Sequence, residues 1–281
     1  MHRTARLAAL LSLLALPFAF APNASASVTL GQLATSAPND CSSGSPVELL
    51  QPTVTSGASY VSPADGTITS WSTVGAASGG GGQMKLKVWR KVSDPVTFQV
   101  VTQSNFEVIP TATLKTFPVT LPGIQAGDVL GLTFQGVSKT GCNFGVTGDS
   151  FRNAPGDFAN GDGTIFSATA LGSRIDISAT LDPSHKFGLG ALTRDKKHGT
   201  ATLQVSVPGP GQVTATGNGV KSPGASATAK GDVGVLIKAK GKKKRALLGK
   251  GKVALNVTLT YTPTGGAAGT DATNVKLKKK L

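Results

Sequence analysis

Fifteen residues, KAKGKKKRALLGKGK, carry eight cationic side chains: Lys238, Lys240, Lys242, Lys243, Lys244, Arg245, Lys250 and Lys252. Such a run offers electrostatic binding of a polyanion, sensitive to salt and without sequence specificity. Its structural alternative is a solvated hairpin flanked by charged strand faces, since outward lysines discourage edge-to-edge strand pairing. Other chemistry is thinner. Nucleophilic catalysis needs a base, most often histidine, beside the nucleophile, and beyond residue 26 only His185 and His198 occur. There is no G-x-S-x-G elbow and no H-E-x-x-H, so the signatures of α/β-hydrolases and zinc hydrolases are missing. Glycoside hydrolysis needs two carboxylates a few ångströms apart, and no spacing picks out such a pair. The expectation is a protein that is not an enzyme.

Two further groups of residues suit binding. The loop GDFANGDGT places Asp157, Asn160 and Asp162 among glycines, the oxygen-rich setting that calcium prefers. An EF-hand register fails, because its first ligand position falls on Phe158, and Asx-turns account for the same residues. No cofactor is expected, with calcium the single candidate. In regular strands, Trp71 lies opposite Ile68 and Val74, and Trp89 opposite Met84 and Leu86. Both indoles then face away from the apolar side, where an aromatic ring can stack on a glycan. The competing expectation is burial, usual for large aromatics.

The ends of the chain suggest where these groups work. Arg3 and Arg6 precede an uncharged apolar run from Leu7 to Ala21, and Ala24 and Ala26 form an A-x-A arrangement. Residues 1–26 thus read as a cleaved secretory signal peptide. The run is shorter than the roughly twenty residues a bilayer span needs, and no second such run follows, so no transmembrane span is expected in the mature chain. In an exported protein, the two cysteines, Cys41 and Cys142, are expected to form a disulfide; two buried free thiols are the alternative.

Charge divides the remainder. Residues 27–183 hold eight Lys/Arg and eleven Asp/Glu, whereas residues 184–281 hold eighteen Lys/Arg and three Asp. A step from −3 to +15 marks a domain boundary, and it falls on ATLDPSHKFG. Both sides alternate with the period of two that half-buried strands require, as in QMKLKVWRKV before the boundary and TATLQVSV, DVGVLIKAK and KVALNVTLTYTP after it. The fold class predicted is all-β, two consecutive antiparallel sandwiches over 27–183 and 184–281.

VSPADGTITSW, GGQMKLKVWR and IQAGDVLGL resemble the strands of secreted bacterial jelly-roll-like modules. KKHGTATLQVSVPGPGQVTATG, YTPTGG and KLKKK resemble immunoglobulin-like modules at the C-termini of exported bacterial proteins. The resemblance implies a non-enzymatic, secreted, extracellular or cell-envelope protein and carries no ligand residues with it. Its expected partners are anionic envelope or extracellular polymers, held by the basic domain. A carbohydrate-binding module using Trp71 and Trp89 is the alternative, and an enzyme acting on polysaccharide through first-domain carboxylates is a third reading. The basic domain offers only Phe187 and Tyr261 as aromatics, so it lacks a base-stacking platform, and no sequence-specific nucleic-acid partner is expected.

Overall fold

A computed structural model describes residues 27–41, 46–77, 81–93, 96–136 and 140–281. The signal peptide expected at 1–26 lies outside them. The strands of the first half are β1 (Val28–Gln32), β2 (Asn39–Cys41), β3 (Val47–Leu50), β4 (Gly66–Val74), β5 (Gln83–Ser93), β6 (Thr97–Gln103), β7 (Glu107–Val108), β8 (Leu114–Ile124), β9 (Val129–Gln135), β10 (Thr140–Pro155), β11 (Gly163–Ile165), β12 (Ala168–Ile175) and β13 (Ile177–Pro183). Then come β14 (Gly188–Asp195), β15 (Thr200–Val207), β16 (Gly211–Thr216), β17 (Val220–Lys221), β18 (Ala225–Ala227), β19 (Gly231–Ala239), the helix α1 (Gly241–Lys250), β20 (Lys252–Pro263) and β21 (Gly269–Lys278). The fold is all-β and antiparallel, as alternation predicts.

In the first half, β1-β13-β4-β8 form one sheet, and β11-β6-β5-β9-β3-β10-β12 form the spine of another that β2 and β7 extend. Met84, Leu86 and Val88 of β5 and Leu130 and Leu132 of β9 meet Ile68 and Trp71 of β4 and Leu181 of β13 in one buried core. The removal of these apolar faces from water drives the two sheets together.

Trp71 belongs to that core rather than to solvent, which corrects the expected glycan platform. Ile68 pairs with Leu181 of β13 and Ser70 with Thr180, with a register shift between them. The extra residue, Thr69, faces water, and one such bulge reverses the parity of everything beyond it. Trp71 is accordingly 1% exposed and its ring lies 4.6 Å from that of Phe117.

Trp89 keeps its expected parity with Lys85 and Lys87, yet it too is buried, at 0%. The segment 156–166 leaves β10, adds β11 to the edge of the larger sheet and brings Phe166 and Phe158 against its outer face, where they meet the indole edge-on at 4.9 and 6.3 Å. With Leu50, Phe98, Val100, Val129 and Ala154 they make a second apolar cluster. Both faces of this sheet are therefore dry around β5, and neither tryptophan can stack on a sugar.

In the second half, β14-β15-β19-β17 and β18-β16-β20-β21 enclose a separate core. Leu203 and Val205, Val235 and Ile237, Leu255, Val257, Leu259 and Tyr261, and Val275 and Leu277 all point into it. The departure from expectation is the basic connection. β19 and β20 belong to opposite sheets, so the chain crosses between them as α1 and not as a hairpin. Lys, Arg, Ala and Leu favour a helix, Leu247 is buried as its anchor, and Gly251 ends it in the left-handed conformation at φ 65°, a role suited to glycine.

The two halves meet at Asp65. Its carboxylate accepts bonds from Lys230 Nζ at 2.8 Å and its backbone N–H donates to Pro208 O at 3.0 Å. A Cβ added at Gly209 would stand 2.4 Å from Ala64 Cβ.

Trp71→Ala should cost about 3–5 kcal/mol of stability, the usual cost of removing a large core aromatic. Urea unfolding followed by near-ultraviolet circular dichroism checks this; a loss under about 1 kcal/mol would contradict the inward placement of the ring.

Candidate functional site

In the first sandwich, the two buried lysines are spent on carboxylates. Lys87, 0% exposed, donates to Glu48 Oε1, to Asp157 Oδ1 at 2.8 Å and to Phe158 O at 2.7 Å. Lys85 Nζ reaches Asp157 at 2.7 Å and lies over the Phe106 ring at 4.5 Å. Glu48 accepts also from Thr133 Oγ1 at 2.6 Å and Phe158 N at 3.0 Å. Burial pushes the Glu48 carboxyl up, against the opposing pull of Lys87. Burial acts upward on Asp157 as well, but the hydrogen bonds from Lys85 and Lys87 outweigh it and hold that carboxyl below its ordinary range. The charges are fully partnered, and their evident work is to pin residues 156–166 over Trp89.

Asp157 is thus tied to two ammonium groups. Asp162 accepts from Ala159 N at 2.9 Å, an Asx-turn bond, and Asn160 is exposed on the same turn. Among the described residues no three His, Cys, Asp or Glu side chains come together as a metal would require. Cys142 is buried and has no free thiol. The backbone of Cys41 pairs with Thr140, two residues from Cys142; the Cys41 side chain lies outside the described residues, and the expected bond between the two cysteines with it.

In the second sandwich the carboxylates run out, and the cations collect. A concavity of about 440 Å³ lies where α1 leans across the ends of β17 and β19, lined by Lys221, Lys238, Lys240, Lys244 and Lys279 with His198, Leu247 and Leu248. A second, of about 390 Å³, adjoins it; it shares Lys240 and Gly241 and adds Lys242 and Lys243. The second is close-packed on one side: a Cβ at Gly219 (φ +78°) would meet Lys243 Cγ at 2.3 Å.

The electrostatics are uncompensated. Lys221 lies directly opposite Lys238 in the β17–β19 ladder, where like charges destabilise a sheet. Lys242, Lys243 and Lys244 occupy the first turn of α1, which has no acidic residue and no side-chain cap; cations there oppose the helix dipole. No carboxylate lines either concavity. Among the described residues, Lys221, Lys238, Lys240, Lys242 and Lys244 make no ion pair. Asp195 approaches the rim, but it is engaged by His198 Nδ1 at 2.5 Å, whose hydrogen bond holds that carboxyl below its ordinary range. Lys279 Nζ donates to Lys197 O at 2.9 Å, and Lys243 Nζ to Ala254 O at 3.1 Å.

The expected polyanion residues divide accordingly. Lys238, Lys240, Lys242, Lys243 and Lys244 converge, whereas Arg245, Lys250 and Lys252 line neither concavity. Lys221, Lys279 and His198 join the site without a signal in the basic run, because they come from β17 and from segments brought alongside by long-range pairing. Compared with known proteins, the chain matches no family model and no curated protein.

Glu48→Gln should destabilise the protein by about 3 kcal/mol, because it removes the buried member of the pair and leaves the Lys87 ammonium to the partly exposed Asp157 and one carbonyl. The double change Glu48→Leu with Lys87→Met should recover most of that loss. Thermal unfolding of both variants decides; a double variant as unstable as the single one would mean that the ion pair itself, not its compensation, holds the loop.

Proposed function

We propose that this is an exported protein without catalytic activity, retained near the cell envelope or in the extracellular space by anionic polymers that bind its second sandwich. The observation that carries the reading is the convergence of Lys221, Lys238, Lys240 and Lys244 on one concavity without a carboxylate. A folded domain that faces lysine against lysine gives up stability there, and an anionic partner restores it. The apolar run and A-x-A arrangement of residues 1–26 support export, and the −3 and +15 segments divide the labour: the first sandwich supplies a rigid neutralised body, the second the attraction. The support for a non-catalytic role is chemical. His198 is committed to Asp195 on an exposed turn, and the carboxylates of the first sandwich described above are committed to lysines or to backbone.

Export also gives Cys41 and Cys142 a partner in each other. We expect the chain purified without reductant to be two hydrogens lighter by intact mass than the reduced chain, and the fragments that cyanogen bromide releases on either side of Met84, one bearing each cysteine, to co-migrate until reduced; two separately alkylated thiols would refute the pairing.

Attachment of this kind is electrostatic, so it must fail as the Debye length shrinks from about 10 Å at 0.1 M salt to about 3 Å at 1 M. The chain from Ser27 onward, applied to purified bacterial cell walls, should be retained at 50 mM salt and released before 1 M. Retention indifferent to salt, or none at low salt, ends this reading.

A further inference from the structure

Resting on that reading, we infer that the two adjoining concavities bind a densely phosphorylated chain, in preference to a carboxylated one. Together they are lined by Lys221, Lys238, Lys240, Lys242, Lys243, Lys244 and Lys279, with no arginine and no acid. The absence of arginine among the lining side chains matters, because the guanidinium fork matches the planar carboxylate in a bidentate way. An ammonium is a compact point charge with no preferred plane, and it serves the tetrahedral oxygens of phosphate equally from any side.

Charge density points the same way. A carboxylate brings one negative charge, which leaves most of the repulsion among five lysines in a space of about 440 Å³ in place. A terminal phosphate brings about −1.5 to −2 near neutral pH; an internal phosphate brings a single charge, as a carboxylate does, but successive phosphates share a bridging oxygen and so stand far closer than the carboxylates of successive glutamates. Because the second concavity, of about 390 Å³, continues across Lys240 and Gly241, consecutive phosphates of one chain can occupy both, and linkage makes the second contact intramolecular. Beside the lysines, only His198, Thr200 and Asn218 bring hydrogen-bonding side chains; Ala239, Leu247 and Leu248 are apolar, and neither space contains a Phe, Tyr or Trp ring on which a sugar or a base could stack. Selection therefore rests chiefly on density of charge.

A like-charged pair outside the site provides the control. Lys252 lies opposite Lys278 in the β20–β21 ladder, and neither residue lines the concavities. Exchanging either pair for glutamine removes the same charge, and all four side chains are exposed, so both variants should fold.

The test is calorimetric titration of the chain from Ser27, at fixed low salt, with inorganic phosphate, tripolyphosphate, linear polyphosphate and poly-L-glutamate of matched total charge. Tripolyphosphate should bind at least about tenfold more tightly than inorganic phosphate, and polyphosphate about tenfold more tightly than poly-L-glutamate, each tenfold corresponding to about 1.4 kcal/mol. Lys221→Gln with Lys238→Gln should weaken tripolyphosphate about tenfold, whereas Lys252→Gln with Lys278→Gln should weaken it less than about twofold. Equal affinity for the two polymers, or equal losses in the two double variants, overturns this inference while leaving salt-dependent attachment standing. Binding of none of the four anions removes the attachment reading as well.

Discussion

An ammonium group in a folded protein needs either a carboxylate or water beside it, and this chain uses the two solutions in different halves. On β5, Lys85 and Lys87 extend from a sheet whose outer face is covered, so Glu48 and Asp157 must accompany them inside. That compensated cluster fastens residues 156–166 over the sheet, and the fastened segment in turn lets Trp89 be dry. In the second sandwich there are eighteen cations and three acids. No arrangement of its strands could pair them, so nearly all must face water, and where the chain brings them to one spot the field cannot cancel. The functional reading follows from this imbalance more than from any single residue.

How legible this was depends on which rule each element obeys. The strands β15, β16 and β20 of the second sandwich follow strict alternation over most of their length, and residues such as Leu203, Ile237 and Val275 point inward as their period requires. Trp71 escapes because a bulge of one residue at Thr69 is silent in composition yet reverses parity beyond it. Trp89 escaped for a different reason. Its parity was read correctly, but alternation says only which residues share a face; whether a distant segment covers that face is settled by pairings about 70 residues apart, such as Lys87 with Asp157. A basic position within an alternating strand therefore reads as solvent-facing even when a carboxylate from elsewhere waits for it.

The helix α1 illustrates a third limit. Its ten residues include two glycines, and a lone buried side chain, Leu247, anchors it, so there is no apolar stripe from which helical period could be read. What dictates it is topology: β19 and β20 lie in opposite sheets, and the connection must span the end of the sandwich rather than reverse in a tight turn. The sequence run thus showed the charge but not its shape. A hairpin would have held these lysines apart in solvent. A helix laid across the ends of β17 and β19 gathers them with Lys221 and Lys279, which lie outside the run altogether.

This gathering also explains why stability alone does not account for the site. The least costly way to close the end of a sandwich would place an acid in the first turn of α1, where the helix dipole favours it, and would avoid facing Lys221 with Lys238. Either change lies within reach of a single substitution, and neither touches the core. Strand-edge protection needs isolated outward lysines, as at Lys276, and gains nothing from directing several of them into one recess. The recess is the feature for which solubility and negative charge deficit offer no reason, and the anion proposed here would offer one: it would supply to the second sandwich, from outside the chain, the compensation that Glu48 and Asp157 supply to the first from within.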